Sequence, residues 1–139
     1  MDELTIYTDG GCSPNPGKGA WSIVISEIEH YRGQKKMTTN NEMELLAIRN
    51  AILYRNKYHP QKKLVVVSDS KYCVDGFNSW MHNWQKKGWK KKKGPIANLG
   101  IWKEVFDLKD NTELKWTKGH AGQRLNELAD ELATYKEAV

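Results

Sequence analysis

The feature that most constrains the fold is a pair of short apolar segments, residues 4–8 and 64–67, on either side of a helical pattern. The second segment, Leu-Val-Val-Val, is apolar throughout, which is typical of a strand covered on both faces in a parallel sheet. Residues 41–58 have helical periodicity. A strand, a helix and a second buried strand form a βαβ crossover. Asp9 and Asp69, which follow the two segments, are therefore predicted at the carboxyl ends of neighbouring strands, where ligands bind in open α/β sheets.

The remaining elements complete an α/β domain. The chain has 139 residues, the length of one ordinary domain, and we expect residues 1–139 to form a single unit. Ser70 or Asp69 is the predicted cap of the helix that follows the second segment, and Trp80 near its end is predicted in the core. The elements predicted outside the crossover are strands at 20–25 and between 29 and 36, helices at 70–81, 96–109 and 125–137, a strand at 113–117 and a Gly-His-Ala-Gly loop at 119–122.

Membrane and disulfide signals are lacking in the sequence. No segment approaches the roughly 20 consecutive apolar residues of a membrane span, and the first residues lack the basic and apolar stretches of a signal peptide. We therefore expect a cytoplasmic protein. Cys12 and Cys73 have no metal-ligand spacing, so both are predicted to be free thiols. A monomer without an obligate protein partner is the default expectation.

Four carboxylates lie beside apolar segments of the predicted strands and helices, where an unpaired charge is costly. Besides Asp9 and Asp69, they are Glu44 and Asp130, near the starts of two helical patterns. At 100° per residue, Glu44 falls on the apolar face of its helix. Hard divalent cations such as Mg²⁺ take oxygen ligands of this kind. Two such ions about 4 Å apart can activate water and stabilise the transition state and leaving oxygen of phosphodiester cleavage.

Each acid also has an ordinary explanation. Asp69 can cap a helix, Asp9 can belong to a turn, and Glu44 and Asp130 can complement helix dipoles. The four acids are separated by 35, 25 and 61 residues, so only the fold can bring them together. Periodicity alone does not show that they converge.

The net charge of +5 is concentrated in one lysine-rich segment, residues 85–94, which holds six lysines and no acid. The rest of the chain is close to neutral, so this pattern favours a localised contact with a polyanion. Lysines bind phosphates without reading bases. The alternative is a solvated surface, although tryptophans rarely accompany a purely solubilising run. The candidate substrate-binding residues here are Trp84, Lys86, Lys87, Trp89 and Lys90.

Five short motifs follow one another along the chain between about residues 4 and 135. They are Tyr-Thr-Asp-Gly at 7–10, Thr-Asn-Asn-Glu-Met-Glu-Leu at 39–45, Ser-Asp-Ser at 68–70, Lys-Gly-His-Ala-Gly at 118–122 and Asn-Glu-Leu-Ala-Asp at 126–130. In order and spacing they resemble the motifs of type 1 ribonuclease H, and the lysine-rich segment resembles the basic protrusion of its bacterial members. The resemblance implies a ribonuclease H-like fold: a mixed five-stranded sheet, with an antiparallel meander and parallel strands, flanked by helices.

The resemblance also implies a reaction. Members of this family hydrolyse the RNA strand of RNA–DNA hybrids with two Mg²⁺ or Mn²⁺ ions, giving 5′-phosphate and 3′-hydroxyl ends with little sequence preference. By this match Asp9 would bridge both ions, Glu44 and Asp69 would orient the water-side ion and the water, and Asp130 would hold the second ion. His120 would act in proton transfer or in product and metal release, as a mobile imidazole can near neutral pH. An exposed loop histidine is the alternative.

Substrate discrimination requires groups that contact RNA 2′-hydroxyls. Asn15 and Asn41 are of the right type. Lys71 stands where many relatives have glutamine, and it is predicted to bind phosphate instead. Thr39 and Asn40 resemble the family's pocket for a DNA-strand phosphate, although a helix-capping pair is the alternative.

Three other functions compete with this one. A catalytically silent hybrid-binding module would normally have lost an acid, and all four are present. A DNA nuclease or strand-transfer enzyme of the same fold is disfavoured by the His120 loop and the hybrid-type motifs. A ribonuclease H domain of a reverse transcriptase shares the motifs and stays open, although Met1 lies immediately before the first strand.

Overall fold

The computed structural model describes residues 2–118 and 123–137. Its five strands form one sheet in the order β3-β2-β1-β4-β5. The strands β1, β2 and β3 form an antiparallel meander, while β4 pairs in parallel with both β1 and β5. This sheet confirms the predicted mixed topology. The strands are β1 (Glu3–Cys12), β2 (Gly17–Val24), β3 (His30–Thr38), β4 (Lys63–Ser68) and β5 (Thr112–Trp116).

Helices cover both faces of this sheet. The side chains of Ser22 and Ile23 point to opposite faces because they are consecutive in a strand. Ile23 joins the main core with α1, whereas Ser22 Oγ donates a 2.6 Å hydrogen bond to Ala129 O on α5. The helices are α1 (Asn40–Tyr58), α2 (Lys71–Asp75), α3 (Met81–Lys86), α4 (Leu99–Leu108) and α5 (Arg124–Leu132), with a π-helical turn (Gly76–Trp80) between α2 and α3.

The main core lies between the sheet and the helices α1 to α4. Trp102 of α4 is its largest fully buried side chain, and it packs beside Gly76, where a Cβ atom would lie 2.2 Å from Trp102 Cη2. Trp80 is 37% exposed, so its predicted core position is wrong. The core residues contributed by α1 and the central strands include Leu45, Ala47, Ile48, Ala51, Ile52, Ile6, Leu64 and Val66.

Several boundaries differ from the predicted ones, and the three largest differences are the following. The strand β1 continues past Asp9 to Cys12, because residues 8–12 pair with β2 from Ile23 to Gly19. The helical region predicted at 70–81 runs to Lys86. The last helix ends at Leu132 rather than near residue 137.

Local predictions about caps and thiols are confirmed. Ser70 Oγ accepts a 3.1 Å hydrogen bond from Cys73 N and caps α2. Cys73 is buried and Cys12 half-buried, and both are free. None of the helices in the described residues has the length and apolar character needed to cross a membrane.

Candidate active site

Three of the four predicted acids converge beside the central strands. The parallel ladder between β1 and β4 ends at the pair Tyr7 and Val67. Asp9 lies two residues beyond that pair, and Asp69 directly follows β4. Glu44 lies in the second turn of α1. One carboxylate oxygen from each of Asp9, Glu44 and Asp69 lies within 4.8 Å of the other two.

A close contact between β1 and α1 produces this convergence. A Cβ atom on Gly10 would lie 2.3 Å from Met43 C and 2.4 Å from Glu44 N. Only a residue without a side chain lets the helix backbone approach the strand so closely. Gly10 N also donates a 2.9 Å hydrogen bond to Asp9 Oδ1, which fixes that carboxylate. Gly10 therefore sets the distance between Glu44 and Asp9.

Burial and mutual repulsion strongly perturb these acids. Asp9 is 8% exposed, and its pKa is raised from 3.8 to about 8, first by burial and then by the charges of Asp69 and Asp130. Burial, followed by the charges of Asp9 and Asp69, also raises the pKa of Glu44 well above its usual value. The acids thus disfavour one another's ionisation in the absence of a cation.

A divalent cation fits this cluster. Glu44 Oε1 and Asp69 Oδ1 are buried oxygens that have no hydrogen-bond partner among the residues that the structure describes. Buried polar atoms of folded proteins normally have a partner, and one left without calls for an explanation such as a bound ion. A set of carboxylate oxygens alone suits a hard cation such as Mg²⁺.

The fourth acid, Asp130, lies on α5 and reaches the cluster from the other face of the sheet. Both a side-chain hydrogen bond and the charge of Asp130 raise the pKa of Asp9, so the two carboxyl groups are neighbours. Asp130 is exposed, unlike Asp9. His120 lies at 119–122, outside the described residues, and its role stays a prediction.

Two of the predicted substrate-binding residues, Asn15 and Asn40, are hydrogen-bonded to each other at the start of α1, and a third, Thr39, caps this helix. Asn15 Oδ1 accepts a 3.2 Å hydrogen bond from Asn40 N, and Asn40 Oδ1 accepts a 2.7 Å bond from Cys12 N. Thr39 Oγ1 caps the helix by accepting from Glu42 N at 3.1 Å. Capping uses the acceptor capacity of this hydroxyl and leaves its proton free to donate to a ligand. Asn41 is exposed in the first turn.

The side chain of Lys71 lies close to the acids. Its Nζ is 4.8 Å from the centroid of the Trp116 ring, and Trp116 Nε1 donates a 3.2 Å hydrogen bond to Asp69 O. Trp116 is an exposed tryptophan at the end of β5, and the sequence contained no signal for it beyond its position two residues before the Lys118 motif. This pair adds a cation and an aromatic face beside Asp69.

Tryptophans attach the lysine-rich segment to the core. The Trp84 ring lies 5.8 Å from Trp102, and the Trp89 ring lies 5.7 Å from Phe106. Lys86 ends α3, and Lys87 and Lys90 follow it on the surface. Lys87 and Lys90 border a cavity of about 430 Å³ whose lining also includes Trp80, Trp84, Lys91 and Lys92.

The fold and the acid cluster define a nuclease of the ribonuclease H-like class. The family model for RNase H matches residues 1–137. The chain is 41% identical to the ribonuclease H of Roseobacter denitrificans over an alignment of 144 positions, which covers 96% of this chain and 94% of that protein. The chain therefore belongs to the ribonuclease H family.

Solved structures show the same fold. LC9-RNase H1, described as a type 1 RNase H with the type 2 active-site motif, superposes with a TM-score of 0.74 at 27% identity, covering 96% of this chain and 72% of that one. LC11-RNase H1 in complex with an RNA/DNA hybrid superposes with a TM-score of 0.65 at 24% identity, covering 93% and 92%. These neighbours confirm the ribonuclease H fold.

The stability of the metal-free protein should depend on pH. The unfolded chain releases the Asp9 proton near pH 3.8, whereas the folded protein holds it until about pH 8. The contribution of Asp9 to the free energy of unfolding is therefore fully present below pH 3.8 and is lost as the pH rises to about 8. We expect Mg²⁺ to raise Tm more at pH 8 than at pH 5, measured by thermal unfolding against EDTA. An Mg²⁺ effect independent of pH would contradict this coupling.

Proposed function

We propose that the protein is an endonuclease that hydrolyses the RNA strand of RNA–DNA hybrids with two divalent metal ions and little sequence preference. Its products would carry 5′-phosphate and 3′-hydroxyl ends. The observation that supports this most is the convergence of Asp9, Glu44 and Asp69 within 4.8 Å, with two of their buried oxygens lacking hydrogen-bond partners within residues 2–118 and 123–137. The complex of LC11-RNase H1 with a hybrid supports the choice of substrate.

The four acids would hold Mg²⁺, for which Mn²⁺ can substitute at an all-oxygen site. When bound, such ions activate water and neutralise charge at the scissile phosphate. Asp9 holds a proton near neutral pH in the metal-free site, since its pKa is about 8. Loading the site therefore releases that proton and makes metal affinity increase with pH.

Polar residues beside the acids would position the hybrid. Asn15 and Asn41 would contact 2′-hydroxyls, and Thr39 with Asn40 would bind a phosphate of the DNA strand. His120 would transfer protons at the scissile phosphate. The candidates for contact with the remaining backbone phosphates and sugars are Lys71, Trp84, Lys86, Lys87, Trp89 and Lys90.

The expected domain organisation, location and oligomeric state are part of the same proposal. Residues 1–139 would form a single ribonuclease H domain. The protein would act in the cytoplasm as a monomer without an obligate protein partner.

A substrate panel tests the proposal. One labelled sequence is presented as RNA–DNA hybrid, duplex RNA, duplex DNA and single strands, with Mg²⁺ and with EDTA, and the product ends are identified. We expect metal-dependent cutting of the hybrid's RNA strand only. Binding without cutting would favour the silent module, and cutting of DNA would overturn the choice of substrate.

Removing lysines from the lysine-rich segment should weaken substrate binding. We expect a triple glutamine variant to raise KM, leave kcat nearly unchanged and reduce the log–log salt slope by about one for each lysine that touches a phosphate. The measurement is KM for a hybrid at several salt concentrations. An unchanged slope would show that the segment does not bind the substrate. The variant replaces Lys87, Lys90 and Lys91, and the matched control replaces Lys57, Lys62 and Lys103, which lie in or beside other elements.

A further inference from the structure

Residues 133–137, which we call the C-terminal strap, are held along the edge strand β3 by side chains of that strand. Arg32 donates 2.8 Å hydrogen bonds to Leu132 O from Nε and to Thr134 O from Nη2. Gln34 bonds both backbone groups of Lys136: its Nε2 donates to the carbonyl oxygen at 2.8 Å, and its Oε1 accepts from the amide at 3.0 Å. The strap therefore has a defined path along β3.

This path brings Glu137 to Lys18 at the start of β2. Lys18 Nζ donates to Glu137 Oε1, and it also lies 5.5 Å from the centroid of the Tyr135 ring. The two charged side chains are 48% and 70% exposed. An ion pair this exposed is weak and screened by salt, so an external anion can displace the carboxylate.

Lys18 borders a cavity of about 390 Å³ between the strap and the start of α1. One wall is formed by Gly11, Cys12, Ser13 and Asn40, and the other by Ala133, Thr134, Tyr135 and Glu137. Asn40 is one of the two residues, with Thr39, that are proposed above to bind a DNA-strand phosphate. Within this lining, Lys18 is the basic side chain and Glu137 is the acidic one.

We propose that Lys18 binds a backbone phosphate of the substrate in this cavity, and that Glu137 competes with that phosphate for Lys18. The strap is thus an internal competitor that lowers affinity for the duplex. A carboxylate tethered beside its cation competes at a high effective concentration, although each contact is weak. This inference rests on the proposed function, because it assumes a nucleic acid duplex as the ligand.

Replacing Lys18 and Glu137 separately tests the inference, because the two substitutions should change KM in opposite directions. We expect Glu137→Gln to lower KM for the hybrid about two- to fivefold, and Lys18→Gln to raise it by a similar factor, with kcat nearly unchanged in both. The double variant should behave like Lys18→Gln, since Glu137 acts through Lys18. Asp107→Asn, at an exposed acid on α4, is the control for the change in net charge and should leave KM unchanged.

If the ion pair between Lys18 and Glu137 only stabilised the fold, the two variants would give a different result. Both variants would then lower Tm alike, and KM would stay constant or move in the same direction in both, which would overturn the inference. Anisotropy of a labelled hybrid in EDTA provides a readout of binding without turnover. Wild-type protein that fails to cut the hybrid would refute the proposed function, whereas normal wild-type cutting with identical KM values in the variants would refute only the role of the strap.

Discussion

Replacing Asp9 by asparagine is expected to abolish hybrid cleavage while the protein remains folded. Asp9 is the acid that the other three surround: Glu44 and Asp69 lie within 4.8 Å, and Asp130 is hydrogen-bonded to it. Asparagine keeps the shape but removes the charge and one anionic ligand. Removal of a single electrostatic group from an active site lowers kcat by about a hundredfold to a thousandfold, and we expect a loss at the upper end of this range here.

The Tm of Asp9→Asn shows whether the variant has lost only its activity or also its folded structure. Burial disfavours the charged form of Asp9 and raises its pKa to about 8, so a neutral amide should not lower Tm in EDTA at that pH. The stabilisation by Mg²⁺ should shrink. Single-turnover cleavage and thermal unfolding measure the two effects, with Asp107→Asn as the charge-matched control. Near-normal turnover in Mg²⁺ would refute the four-acid site.

The sheet was predictable because its signals are local. The continuous apolar run at 64–67 favours a strand buried on both faces, and β4 does lie between β1 and β5. The position of Asp9 was predicted less well. It does not end β1 but pairs with Ser22 inside a ladder that continues to Cys12. The glycines after Asp9 predicted a turn, whereas antiparallel pairing with β2 satisfies their backbone and extends the strand.

Contacts between distant residues account for what the sequence did not predict. The π-helical turn begins at Gly76, whose surroundings are set by Trp102. Residues 133–137 have a helical pattern but bond instead to side chains of Arg32 and Gln34, about 100 residues earlier. Buried Arg55 donates to carbonyls of Lys62, Asp110 and Asn111, and so ties the end of α1 to the loops before β4 and β5. Periodicity contains no information about such pairings.

The largest structural effect is expected from Gly10→Ala. The new methyl group would meet backbone atoms of Met43 and Glu44 at 2.3–2.6 Å, and a helix backbone cannot rotate away as a side chain can. Relief requires α1 to move from β1, which would cost about 1–3 kcal/mol of stability as overpacking does. Because Glu44 moves with α1, its carboxylate would leave Asp9 and Asp69.

The kcat of Gly10→Ala should therefore fall by more than the loss of folded protein alone would explain. A shift of about 1 Å at a catalytic group can cost about a hundredfold in rate. The stabilisation by Mg²⁺, measured as the change in Tm against EDTA, should fall in parallel with kcat because both depend on the distance between the acids. Gly100→Ala is the control, since a Cβ atom at this position on α4 would have nothing within 4 Å to meet. If both variants behaved like wild type, the close approach of α1 to β1 could not be what assembles the acids.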